Sequence, residues 1–352
     1  MAYTTIDKPT DYFNTKLYTG NGSTNAITGV GFQPDWVWVK DRDTAGYNHI
    51  ANDNVRGVTK YLRPNLTNAE ATITDAITSF DSDGFTLGSD ASNGESNRNT
   101  INYVSWNWLA GGTASSNTDG TITSTVSANT TAGFSIVTYT GNSTAGATVG
   151  HGLGVVPSVV LVKSRDGAYG WGMYHHKNTS APETDYLSIN NTDATVDDVN
   201  FWNDTAPTSS VFSLGGTDAI NKTSNGHVAY CFAEKKGYSK FGSYTGNGNA
   251  DGTFIYTGFK PAWILLKQSS TSGAGWRIHD NKRGISGNPE DETLYASGSN
   301  AESTGRDVDF LSNGFKLRTD SGDGNSSGST YIYMVFAENP FVSSTGIPCT
   351  AR

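Results

Sequence analysis

Charge is scarce in this 352-residue chain, where Asp, Glu, Lys and Arg make up 16% of the sequence against about 25% in an average globular protein. Its 24 Lys and Arg are scattered with no basic run, and the formal net charge is −9. Binding of nucleic-acid phosphates needs clustered cations, so no nucleic-acid partner is expected. Cysteine is nearly missing: Cys231 and Cys349 supply neither a disulfide framework nor a Cys-x-x-Cys metal motif. No apolar stretch reaches the length of a membrane span. The opening MAYTTIDKPT lacks the apolar core of a secretory signal. The expectation is a protein made in a cytoplasm, not exported by a standard route and not inserted in a membrane.

What fills the chain instead is Gly, Thr, Ser and Asn, with 41 glycines and 11% aromatic residues. That mixture favours strands and turns over helices, and its aromatic and β-branched content excludes general disorder. Order within it is repetitive. Tyr-Thr-Gly-Asn occurs at Tyr18–Asn21, Tyr139–Asn142 and Tyr244–Asn247. After each comes a proline (Pro34, Pro157, Pro261) and an apolar run ending six residues later in Lys40, Lys163 or Lys267. A matched late strand follows: Tyr103-VSWNW, His227-VAYCFAE and Tyr331-IYMVFAE. Three landmarks in one order, three times, define an internal repeat.

The spacing between the first two copies is longer, and the surplus is AGGTASSNTDGTITSTVSAN. Its Gly, Ser and Thr read as a linker. The expected division is an arm at 1–12, β modules at 13–109, 130–236 and 237–340, a linker at 110–129 and a tail at 341–352. Each module reads as a β-sandwich or jelly roll, because short strands alternate with Gly, Asn and Asp turns. The runs after the prolines are apolar on both faces, so they are expected inside a two-layer structure. Asp83-Gly84 and Asn313-Gly314 mark hairpin turns. A short helix is the other reading considered for 68–76, beside a loop.

Chemistry is harder to find. Gly324-Asn-Ser-Ser-Gly328 matches Gly-x-Ser-x-Gly, but the surrounding residues read as a turn between strands rather than a nucleophile elbow. His49, His175 and His279 are expected on one strand of each module, in packing roles inherited with the repeat. His175 and His176 are adjacent and so face opposite ways on a strand. Asp81-Ser-Asp83-Gly84 and the Asp320, Asp323, Asn325 cluster read as turns rather than calcium loops. Asn-x-Ser/Thr triplets at Asn65, Asn178 and Asn203 follow from composition. No carboxylate pair is marked by its context, so no catalytic residue, metal or cofactor is expected. Trp36, Trp263, Trp171 and Trp276 are matched between copies and read as core. Trp202, in VNFWNDTAPTSS, has no aromatic counterpart in the other copies. It is the one candidate binding residue, as a ligand platform or a contact between modules.

The strings Gly31-FQPDWVWVK, Val55-Arg56-Gly57, Ser79-FDSDGF, Tyr139-TGN, Gly237-YSKFGSYTGNG and Asp309-FLSNGFKLRT resemble an uncharacterised repeat module of virion proteins. Those proteins belong to tailed phages of marine bacteria, including cyanophages and phages of pelagic bacteria, and are called tail-fibre-like or lectin-like. The resemblance covers nearly the whole chain and brings no catalytic residues with it. It implies a non-enzymatic virion protein, released by lysis, in a tail fibre or appendage that touches the host surface. The alternatives it leaves open are a capsid decoration or head-fibre protein without a receptor role, and a glycan-degrading enzyme. Expected partners are other virion proteins, a host surface glycan or protein, and further copies of the chain. A fibre role implies a trimer, with the arm Met1–Pro9 placing Tyr3 and Ile6 in a neighbour's groove.

Overall fold

The apolar runs after the prolines are strands Trp36–Asp41, Val159–Ser164 and Phe259–Gln268 in the computed structural model, which describes residues 3–284 and 287–348. Met1 of the arm and Cys349 of the tail lie outside those residues. Each run pairs antiparallel with the late strand of its own repeat, Asn102–Trp108, Gly226–Phe232 or Thr330–Pro340. The other edge of the late strand carries the strand leading into Tyr-Thr-Gly-Asn: Phe13–Thr19, Phe134–Thr140 or Ser239–Thr245. A further strand, Ile50–Asp53, Gly172–His175 or Arg277–Asp280, closes the far side of the post-proline run. The fold is all-β, and one order of four strands recurs three times. Its helices are single turns among the described residues.

Period two then decides the layers, because successive side chains on a strand face opposite ways. One face of each long sheet packs on a small sheet of the same repeat. Val37 and Val39 meet Phe85 and Leu87, Val160 and Val162 meet Phe212 and Leu214, and Ile264 and Leu266 meet Phe315 and Leu317. The opposite faces, with Trp36 and Trp38, Val159 and Leu161, and Trp263 and Leu265, all enter one shared cluster. Rings from different repeats touch there: Trp36 stacks on Tyr230 at 4.4 Å, Phe13 on Phe336 at 5.1 Å, and Trp108 meets Trp263 edge-on at 5.6 Å. Three long sheets therefore surround a common apolar centre, and each also bounds an inner core of its own. This is why the post-proline runs are apolar on both faces.

Tyr-Thr-Gly-Asn is the fastening of each repeat. Its tyrosine hydroxyl donates to a backbone carbonyl: Tyr18 to Ser96, Tyr139 to Ile220 and Tyr244 to Gly324, at 2.8, 2.6 and 2.6 Å. Its glycine lies against backbone so closely that a Cβ would come within 2.2, 2.4 and 2.3 Å of the carbonyl oxygens of Arg98, Lys222 and Ser326. Its asparagine N–H donates to the side-chain oxygen of a fully buried asparagine, Asn97, Asn221 or Asn325, at 3.0 Å in all three.

Several expectations need correction. Residues 110–129 are not a linker: Ser115–Asn117 and Ser124–Asn129 are strands that extend the second long sheet. Ser124 and Val126 point inward, and the Ser127 hydroxyl bonds Gly111 and Gly112, so alternation rather than composition decides this segment. The 68–76 segment holds a two-residue strand, Ala71–Thr72, and no helix. The arm packs on its own chain. Ile6 is buried in the shared cluster, the Tyr3 hydroxyl donates to the Gly258 carbonyl at 2.7 Å and Thr4 donates to the Lys236 carbonyl at 2.8 Å.

Candidate functional site

The three long sheets meet along three seams, and two of them are built alike. Asp53 and Arg56 lie at the first. Arg56 Nε meets Asp53 at 2.5 Å, the Tyr230 hydroxyl donates to the same carboxylate at 2.7 Å, and Glu70 takes a two-pronged grip from Arg165 at 2.8 Å. The second seam repeats this with Arg283 on Asp280 at 2.6 Å, Trp106 Nε1 donating to Asp280 at 3.0 Å, and Arg42 on Glu302. Backbone bonds register both seams, from the Glu70 N–H to the Arg165 carbonyl and from the Glu302 N–H to the Arg42 carbonyl, each at 2.7 Å.

The third seam, between the second and third repeats, keeps the backbone bond and lacks the Arg–Glu pair. Thr195 N–H donates to the Ser269 carbonyl at 2.9 Å, so Thr195 stands where Glu70 and Glu302 stand, and Ser269 where the arginines stand. His175 takes the register place of Asp53 and Asp280, opposite Val159, and bonds the Tyr333 carbonyl at 3.1 Å. Short neutral side chains fill less space than Arg–Glu pairs. A groove of about 490 Å³ opens here, walled by Asn178, Thr179, Thr195, Ser243 and Ser270. It continues past Lys177 and Ser243 into a second hollow of about 430 Å³ beside Phe254 and Tyr256.

Phe254 and Tyr256 are the exposed aromatics of this wall. They lie on strand Phe254–Tyr256, whose alternation sends Ile255 into the third inner core and the two rings outward. Phe254 is 44% and Tyr256 49% exposed, and two residues of strand separate them by about 7 Å. Lys240 braces the end of the strand by donating to the Tyr256 carbonyl at 3.0 Å. Register places Ala26 and Thr28 of the first repeat, and Thr148 and Gly150 of the second, where these rings stand. Two flat rings beside hydroxyl and amide groups suit a ligand with alternating apolar and hydroxylated faces. One carboxylate lines the groove, Glu234, which accepts from the Phe241 N–H at 2.7 Å and faces His176 at 3.7 Å.

The residues singled out from sequence lie elsewhere. Trp202 is 2% exposed, at the end of the single-turn helix Val199–Trp202, and packs edge-on to Tyr174 at 6.1 Å in the second inner core. It is a core residue rather than a ligand platform, because Asp198 and Asn203 cap that turn and roll its apolar side inward. Of the three matched histidines, His175 and His279 lie on corresponding strands and His49 just before the third, Ile50–Asp53, but no two share a register position: His175 aligns with Asp53 and Asp280, and His279 with Asn52. His49, His151, His175, His227 and His279 are all buried, and burial pushes each below the ordinary imidazole range, His175 to about 3 and His227 to about 4. Lys40, Lys163 and Lys267 are fully buried too, donate to backbone carbonyls and are pushed down to about 8 by desolvation. Asp83 braces its turn by accepting from the Gly29 and Gly31 N–H groups. Asp323 is held by Arg306 at 3.1 Å and the Tyr295 hydroxyl at 2.7 Å.

Sequence reasoning missed Phe254 and Tyr256. The criterion applied to Trp202, an aromatic with no counterpart in the other copies, finds them as well once Ile255 is recognised as inward. Over residues 8–340 the chain matches the family described as Domain of unknown function (DUF7483). It belongs to that family. The matched span runs through all three repeats, as does the shared apolar centre. No curated protein matches the chain.

Proposed function

We propose that this member of the DUF7483 family is a non-enzymatic structural protein of a tailed-phage virion, a tail-fibre or appendage component that contacts the host surface. The virion assignment rests on the sequence resemblance. The contact assignment rests on one observation: the seam between the second and third repeats, which lacks the Arg–Glu pairs of the other two, opens into a groove lined by Ser, Thr and Asn beside the exposed rings of Phe254 and Tyr256. Its ligand class is a surface glycan, whose apolar ring faces stack on aromatics while its hydroxyls meet Ser, Thr and Asn. Hydrolysis is a poorer reading, since glycoside cleavage generally uses two carboxylates about 5–10 Å apart and Glu234 stands alone in this groove.

The test is binding of labelled full-length protein to host cell envelopes, for the natural chain and for Phe254→Ser with Tyr256→Ser. Both substitutions are at exposed positions, so folding is expected to survive. Loss of at least about tenfold in binding supports the reading, and equal binding by the variant overturns the groove as contact site. Immunogold labelling of virions separates an appendage, with label on the tail, from a head decoration. Association into trimers is a further part of the proposal, checked by light scattering.

A further inference from the structure

Away from the groove, a second hollow of about 540 Å³ lies in the third repeat, where Asn281, Gly284 and Glu290 line the wall together with Lys282 and the Lys260–Glu338 pair. Glu290 of this wall and Glu292 two residues on are almost wholly withdrawn from water, at 6% and 9% exposure. The Oε2 atoms of both, and the side-chain oxygen of Asn281, are buried without a hydrogen-bond partner among the described residues. Buried carboxylate oxygens without partners are costly, and three unsatisfied oxygens in one neighbourhood call for a common partner.

Geometry narrows what that partner is. A Cβ placed on Gly284 would lie 1.9 Å from Glu290 Oε2 and 3.5 Å from Glu292 Oε2. The two oxygens therefore stand no more than about 5.4 Å apart, a range that includes the separations two ligands of one Ca²⁺ ion take at about 2.3–2.6 Å each. Glycine at 284 lets the Glu290 carboxylate lie directly against the backbone. The charges agree. Asp280, Glu290, Asp291, Glu292, Glu302 and Glu338 face Arg42, Lys260, Lys282 and Arg283, leaving two negative charges over. Among the described residues no three carboxylates or histidines are grouped for a metal, so the third protein oxygen is an amide and water completes the shell. All-oxygen ligation suits a hard cation.

We propose that Glu290, Glu292 and the Asn281 amide oxygen form a Ca²⁺ site in the loop after strand Arg277–Asp280. Its affinity belongs to the weak range of extracellular modules, about 10⁻⁴–10⁻³ M, since two charged ligands are few.

Calorimetric titration of the full-length chain with CaCl₂ at pH 8, after removal of trace metal, tests this. One saturable site is expected, with a higher unfolding temperature in Ca²⁺ than in EDTA. In Glu290→Gln with Glu292→Gln, both the binding and the Ca²⁺-dependent rise in melting should vanish, while the Ca²⁺-free melting temperature is not lowered. Absence of saturable binding in the natural chain up to about 10 mM Ca²⁺ overturns the site, as does unchanged binding in the double variant. If that variant does not fold, Asn281→Ala must weaken binding at least about tenfold, and unaltered affinity overturns the assignment equally.

Discussion

Asn97, Asn221 and Asn325 each tie together segments that sequence places far apart. The Asn325 side chain accepts from the Asn247 N–H and donates to the carbonyls of Asn249 and Thr319 at 2.8 and 2.9 Å, with no exposure to water. Asn325→Ala removes one acceptor and one donor pair and leaves the buried Thr319 carbonyl and the partly buried Asn247 N–H and Asn249 carbonyl unpaired. Each such group costs about 1–3 kcal/mol, so a loss of about 2–4 kcal/mol is expected in urea unfolding. A change within about 0.5 kcal/mol would show that the fastening carries little. The Tyr-Thr-Gly-Asn half of this device was legible because it repeats as a string. The partner asparagine was not, although it always stands six residues before the first landmark of the late strand, at Tyr103, His227 and Tyr331. In a chain so rich in asparagine, an isolated Asn at constant spacing carries no visible mark.

At the scale of elements, the three seams are a natural experiment. Strand register is the same at all of them, yet Arg–Glu pairs bridge two and Thr195 with Ser269 stands at the third. Thr195→Glu combined with Ser269→Arg should restore the missing pair, since the backbone already holds the two positions as it holds Glu70 and Arg165. Partly exposed pairs contribute little, about 0–1 kcal/mol, so melting should rise by a few degrees or less. Occupation of the groove is the larger effect: envelope binding should fall as far as in the Phe254, Tyr256 variant. A folded double variant that binds undiminished would count against the groove. Element type was readable where an apolar run followed a proline, as in Trp36–Asp41. It was misread at 110–129, where small hydroxyl side chains alternate in burial but share the composition of a loop.

For the whole molecule, burial of titratable groups sets the response to pH. His49, His151, His175, His227 and His279 have folded values below their unfolded ones, so the unfolded chain binds more protons below about pH 6.5 and stability falls as pH drops. For His175 and His227, lowered to about 3 and about 4, the loss is on the order of 2 kcal/mol each at pH 5. Glu290 and Glu292, raised to about 7, bind protons better when folded and offset part of that loss in the same window. Lys40, Lys163 and Lys267, lowered to about 8, work on the alkaline side: the unfolded chain holds their protons longer, so stability rises between about pH 8 and 10. Above that, the buried tyrosines Tyr18, Tyr139, Tyr230 and Tyr238, all raised by burial, ionise more easily when unfolded and stability falls. The expected maximum near pH 9–10 is checked by melting scans at constant ionic strength, and a maximum near pH 6 would contradict it. Sequence exposed the two apolar faces of the long strands but not that the second faces converge on one centre, because which repeats touch depends on non-local packing. One consequence follows from the arm. Asp7 accepts from the Ser344 N–H at 2.6 Å and from its hydroxyl, while Ile6 sits in the shared centre. Residues 7 and 344 thus lie side by side, and the path of the chain is a closed loop with a single seam. Whatever is fused beyond either point must leave from the same spot, and tension applied between the two points opens that seam before it reaches any sheet.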